Sequence, residues 1–265
     1  MSRSEMTTDE LMQIADWVSA KNAGLRAYEA IYASLSGWDS DEFLRLYAVF
    51  IDSTQVALSS NGNQTTNAKG NPLEVVSRYF LEKGGVARNM KPGGVPGKWT
   101  VDGIGETYPD RVDRILGAGM CATCGPQIYL EAKNHSDVLQ AADWAQHNAR
   151  MKNHGCRLGV VISTGGYAVR AGLGYADELY HDWIRGFVHI LLSVDDLRQV
   201  AIGGEFPWSI VKTAFIRVVN QEFEQPPTQL RYSKAECLKV AKAEYDRLHP
   251  PSTVVAATTT DGDEG

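Results

Sequence analysis

Glu131-Ala132-Lys133 closes the apolar run Ile128-Tyr129-Leu130 and is the segment of this chain best placed to do chemistry. Side chains alternate along a strand, so Glu131 and Lys133 share one face while Ala132 points to the other. A carboxylate and an ammonium side by side at the tip of a core strand are costly to desolvate, so such a pair calls for a purpose. One upstream Asp would complete a site that holds Mg2+ between two carboxylates and keeps a Lys beside an attacking water. Glu-x-Lys alone is a common tripeptide. The elements around it decide its meaning.

Asn71 to Glu82 predicts an amphipathic helix, with Pro72 in its first turn, Leu73, Val76 and Phe80 on one stripe, and Gly84-Gly85 as its stop. Val86 to Lys91 predicts a first strand, Pro92 to Gly97 a turn, and Lys98 to Ile104 a second strand that carries Asp102. Arg111 to Leu116, with Asp113, is a competing or additional strand. Beyond Lys133, Asp137 to Asn153 predicts a helix that Ser136 can cap. Leu158 to Ser163 is short and wholly apolar up to its last residue, as expected of a strand covered on both faces. A mixed helical stretch from Val169 to Arg185, a second buried strand from Phe187 to Leu192 and a short helix from Asp195 follow. Helix, two or three antiparallel strands, helix, parallel-type strand is the order of an α/β fold. The crossover between Lys133 and Leu158 should be right-handed.

This arrangement resembles the PD-(D/E)xK nuclease superfamily, the fold of many type II restriction enzymes and of Mrr-type nucleases. The residues that carry the likeness are Glu74 in the leading helix, Val101-Asp102-Gly103 or Val112-Asp113-Arg114, Ile128 to Asn134, and the helix and strand ending at Ser163. It spans roughly residues 68 to 200. The resemblance implies a restriction-endonuclease-like mixed β-sheet flanked by helices. It also implies a site in which an Asp and Glu131 hold Mg2+ (Mn2+ can substitute) with the Ala132 carbonyl as third ligand, while Lys133 orients the attacking water. Glu74 would hold a metal-bound water or a second ion, or it is an ordinary helix-surface Glu. A plain salt bridge to Glu131 is the other role open to Lys133.

Two Asp residues compete for the ligand position. Asp113 stands nearer to Glu131 in sequence, as a tight hairpin would have it, and leads into apolar residues. Asp102 follows directly from the Gly/Pro turn, and Gly103 after it lets backbone or phosphate approach closely. The reading adopted is Asp102, with Asp113 next and Asp110 a weaker third. It makes residues 105 to 127 an insertion within the core. Cys121-Ala122-Thr123-Cys124 lies in that insertion and reads as two thiols in a Gly-rich turn; half of a structural Zn2+ site, which His154 and Cys156 could complete, is the alternative.

Composition bounds the rest. A chain of 265 residues with 43% hydrophobic content can build a full core, and no run approaches the ~20 apolar residues of a membrane span. The N-terminus lacks an apolar signal core, which predicts a cytoplasmic protein with reduced cysteines. A net charge of −6 argues against a non-specific nucleic-acid coat, but a local basic cleft is enough for a DNA enzyme. Arg88, Lys91, Lys98, Arg150, Lys152 and Arg157 are its candidates; each is equally readable as a solvated surface charge. No phosphate-binding Gly-x-x-x-x-Gly-Lys-Ser/Thr loop is present, against ATP-driven translocation.

The expected organisation is an N-terminal helical segment over 1–67, a nuclease core over 68–204, a C-terminal helical extension over 205–249 and a disordered tail over 250–265. Within it, Ser59 to Gly70 is a linker, and Lys234 to Leu248 a helix. The functional expectation is a Mg2+-dependent DNA endonuclease of restriction or defence type, hydrolysing double-stranded DNA as a homodimer, since cutting two strands takes two sites. An RNA target or a junction-resolving role stays open. The alternative is a non-catalytic DNA-binding or assembly protein that keeps the fold.

Overall fold

The structure is a computed structural model that describes residues 33, 36–59, 66–95, 98–108, 120–134, 141–164 and 175–221. The expected helix at the N-terminus, the strand at 111–116 with Asp113, the cap Ser136 with Asp137 to Gln140, the helix at 234–248 and the tail lie outside these residues.

The helix α1, Ser40–Ser59, begins where the Asp39 carboxylate accepts the backbone N–H groups of Asp41 and Glu42 at 2.9 and 3.1 Å. Phe43, Tyr47, Phe50 and Ile51 recur at helical spacing, and all are buried. The next helix, α2, runs over Thr66–Glu82 and buries Leu73, Val76, Phe80 and Leu81. It starts earlier than the sequence predicts, so Pro72 is an interior residue and part of the expected linker is helical. Asn67 to Gly70 carry no apolar period that would have announced the extra turn. Gly84 ends α2 against the seventh helix: a Cβ there would stand 2.1 Å from the Phe80 carbonyl oxygen and 2.4 Å from Pro207.

Five strands follow in chain order across the sheet, β1-β2-β3-β4-β5. The strands β1, Ala87–Val95, and β2, Lys98–Thr107, form an antiparallel hairpin, and β2 pairs antiparallel with β3, Gln127–Lys133. The first strand continues through Pro92 to Val95, where a turn was expected. Pro92 is tolerated because β1 is an edge strand and the register shifts between Lys91 and Gly93. A short helix α3, Met120–Cys124, precedes β3, and the Thr107 N–H meets the Pro126 carbonyl at 2.9 Å, closing the base of the excursion.

From β3 the chain passes through α4, Ala141–Asn153, to β4, Leu158–Ser163, which is parallel to β3. It passes through α5, Tyr175–Ile184, to β5, Val188–Ser193, parallel to β4. All six residues of β4 and all six of β5 are buried, as expected of strands covered on both faces, with His189 the polar exception inside β5. The last two helices among the described residues are α6, Val194–Ala201, opened by an Asp196 carboxylate that accepts the Ser193 N–H at 2.6 Å, and α7, Pro207–Val219, with Pro207 in its first turn.

Although Trp144 of α4 and Val161 of β4 extend it to the other, the main core lies chiefly on one sheet face. Ile128, Leu130 and Ala132 of β3 pack there with Phe43 and Tyr47 of α1, Phe80 of α2, and Trp208 and Phe215 of α7. The segments drawn as an N-terminal attachment and a C-terminal extension thus contribute, over 36–59 and 207–219, to the same core as the sheet. Full burial of each such large apolar side chain is worth roughly 1.5–3 kcal/mol relative to exposure. Tyr129, on the opposite face, packs in a separate cluster with Met151 and Cys156 beneath α4. Alternation then places Glu131 and Lys133 on the α4 side, and their surroundings differ from the main core accordingly.

Candidate active site

The site forms where β2 and β3 part. Their register runs from Glu106↔Gln127 to Gly103↔Leu130, and one further step sets Asp102 opposite Glu131. At that step the ladder gives way to a side chain: the Ala132 N–H donates to Asp102 Oδ2 at 2.6 Å. Gly103 does not hold space open for a phosphate. A Cβ there would stand 2.9 Å from Met90 Cε and 3.3 Å from Leu130, so the room is filled by core side chains.

Glu131 is 2% exposed, and both of its oxygens are engaged. Lys133 Nζ lies 2.6 Å from Oε1, Arg150 Nη1 donates to the same oxygen at 3.2 Å, and the Tyr129 hydroxyl donates to Oε2 at 2.8 Å. The end of β3 is pinned to β4, with the Lys133 carbonyl accepting the Thr164 N–H at 3.0 Å. Lys133 is thus positioned by strand pairing and Arg150 by the last turns of α4.

Glu74 and Arg78 approach from α2. Arg78 Nη1 donates to the Asp102 carbonyl at 2.7 Å and lies 3.8 Å from Glu74, one helical turn away. Burial pushes the Glu74 carboxyl above its ordinary range; Arg78 opposes this and the Glu131 charge adds to it. Asp102 is pushed further, up to about 7, first by burial and then by the charges of Glu131 and Glu74, against the pull of the Ala132 N–H and Lys133. Three carboxylates from α2, β2 and β3 therefore feel one another, which is the condition under which a group resists ionising.

Asp102, Glu131, Lys133, Glu74 and the Ala132 backbone come together as the sequence predicts; Asp113 lies outside the described residues. Of the expected basic cleft, only Arg150 reaches the carboxylates among the residues whose side chains are described. Lys152 stacks over the Phe187 ring, Arg157 Nε donates to the Gly186 carbonyl at 2.9 Å, and exposed Arg88 pairs with Glu106. Cys124 is buried in the main core and Cys156 in the cluster under α4, so the two belong to different packing units. Burial alone pushes the Cys156 thiol up to about 11.

Sequence reasoning missed three partners. Tyr129, two residues before Glu131 and hence on its face, was findable from the strand period. Arg78 was findable from helical spacing with Glu74. The third lies behind the site, where Asp182 Oδ2 accepts from Trp144 Nε1 at 3.3 Å and from Asn148 Nδ2 at 2.7 Å, with His189 Nε2 at 3.2 Å but poorly aligned for a bond. His189 Nδ1 in turn meets His147 Nε2 at 3.2 Å. No spacing in the sequence joins Asp182, on α5, to α4.

Among the described residues, no three His, Cys, Asp or Glu side chains are placed to hold one metal ion between them. Two hard carboxylates with waters suffice for Mg2+; burial first, and then the Glu131 and Glu74 charges, raise the Asp102 carboxyl, and a cation would relieve the second of these causes. In donor chemistry Asp102 and Glu131 fit Mg2+. Neither a model of a known protein family nor a curated protein matches the chain.

Proposed function

We propose that this chain is a Mg2+-dependent DNA endonuclease with a restriction-endonuclease-like core, acting as a homodimer on double-stranded DNA. The observation that carries the reading is the pairing of two carboxylates, half-buried Asp102 and buried Glu131, at the fork of two strands, with Lys133 on Glu131 at 2.6 Å. A binding module gains nothing from acids gathered where a phosphate must approach.

Hydrolysis adds a water oxygen to phosphorus and breaks one P–O ester bond; one water proton ends in solvent and one on the departing sugar oxygen. Asp102, Glu131 and the Ala132 carbonyl would hold Mg2+, with Glu74 behind them. When bound, the ion supplies charge stabilisation for the pentavalent transition state and acidifies a coordinated water. Lys133 sits where an ammonium would orient the water and balance the charge that develops. Asp102, pushed up to about 7, holds a proton about half of the time at neutral pH when no cation is near, so cation binding and proton release are coupled there.

A second reading, a non-catalytic DNA-binding or assembly protein that keeps this fold, is favoured by one observation. Both Glu131 oxygens are already satisfied by Lys133, Arg150 and Tyr129, as a purely structural carboxylate would be. Supercoiled plasmid incubated with the pure protein separates the two readings. Nicked and linear products in Mg2+ or Mn2+, absent in EDTA, support the nuclease; bound but intact plasmid supports the alternative.

A further inference from the structure

Arg150 is not needed to neutralise Glu131. Lys133 already stands 2.6 Å from Oε1, and Arg150 Nη1 joins the same oxygen at 3.2 Å. Its contact is a single one: the Nε–H of Arg150 is buried without a partner, so the guanidinium fork is not locked onto the carboxylate. Arginine offers a planar set of donors that matches phosphate oxygens, a geometry lysine lacks.

The helix that carries Arg150 is held in an unusual way. Alongside the apolar Trp144 and Met151, α4 presents the buried polar side chains of His147 and Asn148 to the sheet. Trp144 and Asn148 donate to Asp182 of α5, and His147 meets His189 of β5. Both imidazoles lie over Gly159 of β4, where a Cβ would stand 2.8 Å from Met151 Sδ, 2.9 Å from His147 Nε2 and 3.2 Å from His189 Nδ1. Tyr129, Gly159 and His189 are register partners across three strands, so the anchor and the site share one row of the sheet. These directional contacts to Asp182 and His189 add to the packing of Trp144 and Met151 in setting where α4 lies on the sheet. Arg150, one turn beyond His147, is delivered to the carboxylates by this anchor.

We propose that Arg150 is a second catalytic cation, gripping a non-bridging oxygen of the DNA phosphodiester once Glu131 turns to its divalent cation. The proposal rests on the nuclease reading above and adds a phosphate-binding residue to it. If Glu131 held a divalent cation, Oε1 would be less available to Lys133 and Arg150. The guanidinium of Arg150 stays anchored beside the carboxylates, and its Nε–H has no partner there.

The test is equilibrium binding of a fluorescein-labelled DNA duplex to the full chain, in Ca2+ and in EDTA, at several salt concentrations. The proteins are wild type, Arg150→Gln and Arg150→Lys. In Ca2+, Arg150→Gln should weaken binding roughly tenfold to a hundredfold and lower the log–log salt slope by about 0.9, the share of one phosphate contact. Arg150→Lys should keep the slope and recover only part of the affinity. In EDTA, with Arg150 left on Glu131, the three proteins should differ little. Arg150→Lys retains a cation beside Glu131, so it serves as the folded comparison if Arg150→Gln proves unstable. Equal affinity and slope for all three in Ca2+ would overturn the proposal while leaving the nuclease reading standing. A wild type that fails to bind duplex in either condition would overturn both.

Discussion

The Ala132 N–H donates to Asp102 Oδ2 at 2.6 Å, so a side chain of β2 takes over the backbone pairing of β3 where the two strands part. The contact fixes the acid beside Glu131 and leaves its charge poorly balanced, since the neighbours Glu131 and Glu74 are acids as well. Three features that would each be costly alone are thereby found together: a buried acid, a half-buried acid beside it, and two cations on one oxygen.

Stability should report this strain through pH. The folded carboxyl of Asp102 titrates at about 7 and the unfolded one at 3.8, so between these values the native state holds more protons than the unfolded chain. Stability is therefore lost as pH rises from about 4 to 7, by at most about 1.4 kcal/mol per pH unit from this group. Urea unfolding in EDTA across that range should show a steeper decline for wild type than for Asp102→Asn. Parallel curves for the two proteins would place the titration elsewhere.

Asp102→Asn should also weaken Mg2+ binding and cleavage far more than Asp113→Asn, because an amide keeps the shape but not the charge that holds a hard cation. Calorimetric titration with Mg2+ compares the two directly. The reverse order would assign the ligand to Asp113.

Lys133→Ala should lower the cleavage rate by roughly 10²–10³-fold while DNA binding and the fold persist. The fold has reason to persist: Arg150 and Tyr129 still cover Glu131 when the ammonium is removed. Single-turnover rates measured beside circular dichroism separate the two effects. Near-normal turnover would reduce Lys133 to a salt-bridge partner.

Gly159→Ala should destabilise the protein by about 1–3 kcal/mol, the usual range for forcing an extra methyl into a packed core. Its Cβ would press on Met151 Sδ and His147 Nε2, inside 3 Å of each. A thermal melt equal to that of wild type would show that α4 can shift at no cost and that the polar anchor is loose.

Much of this was legible in the sequence because it is local. The strand period put Glu131 and Lys133 on one face, the Gly-bounded apolar run announced β4, and Leu73, Val76 and Phe80 announced α2. The start of α2 was hidden because Asn67-Ala68-Lys69-Gly70 carries no apolar period to announce a helix. Pro92 suggested a turn, yet an edge strand with a register shift accommodates it. Arg150 was recognisable as a basic residue near the site, but its role beside Glu131 depends on how α4 lies on the sheet. That in turn depends on Asp182 and His189, which reach α4 from distant segments through contacts that no spacing encodes.

The proposed metal-dependent hydrolytic site of Asp102 and Glu131 is tested by one set of plasmid incubations with wild type, Asp102→Asn and Glu131→Gln, each with Mg2+, Mn2+ or EDTA. Wild type should cut with either metal and not in EDTA, and both variants should leave the plasmid intact even though they still bind it. Plasmid left whole by wild type in both metals, or cut equally well by Glu131→Gln, would contradict the proposed site.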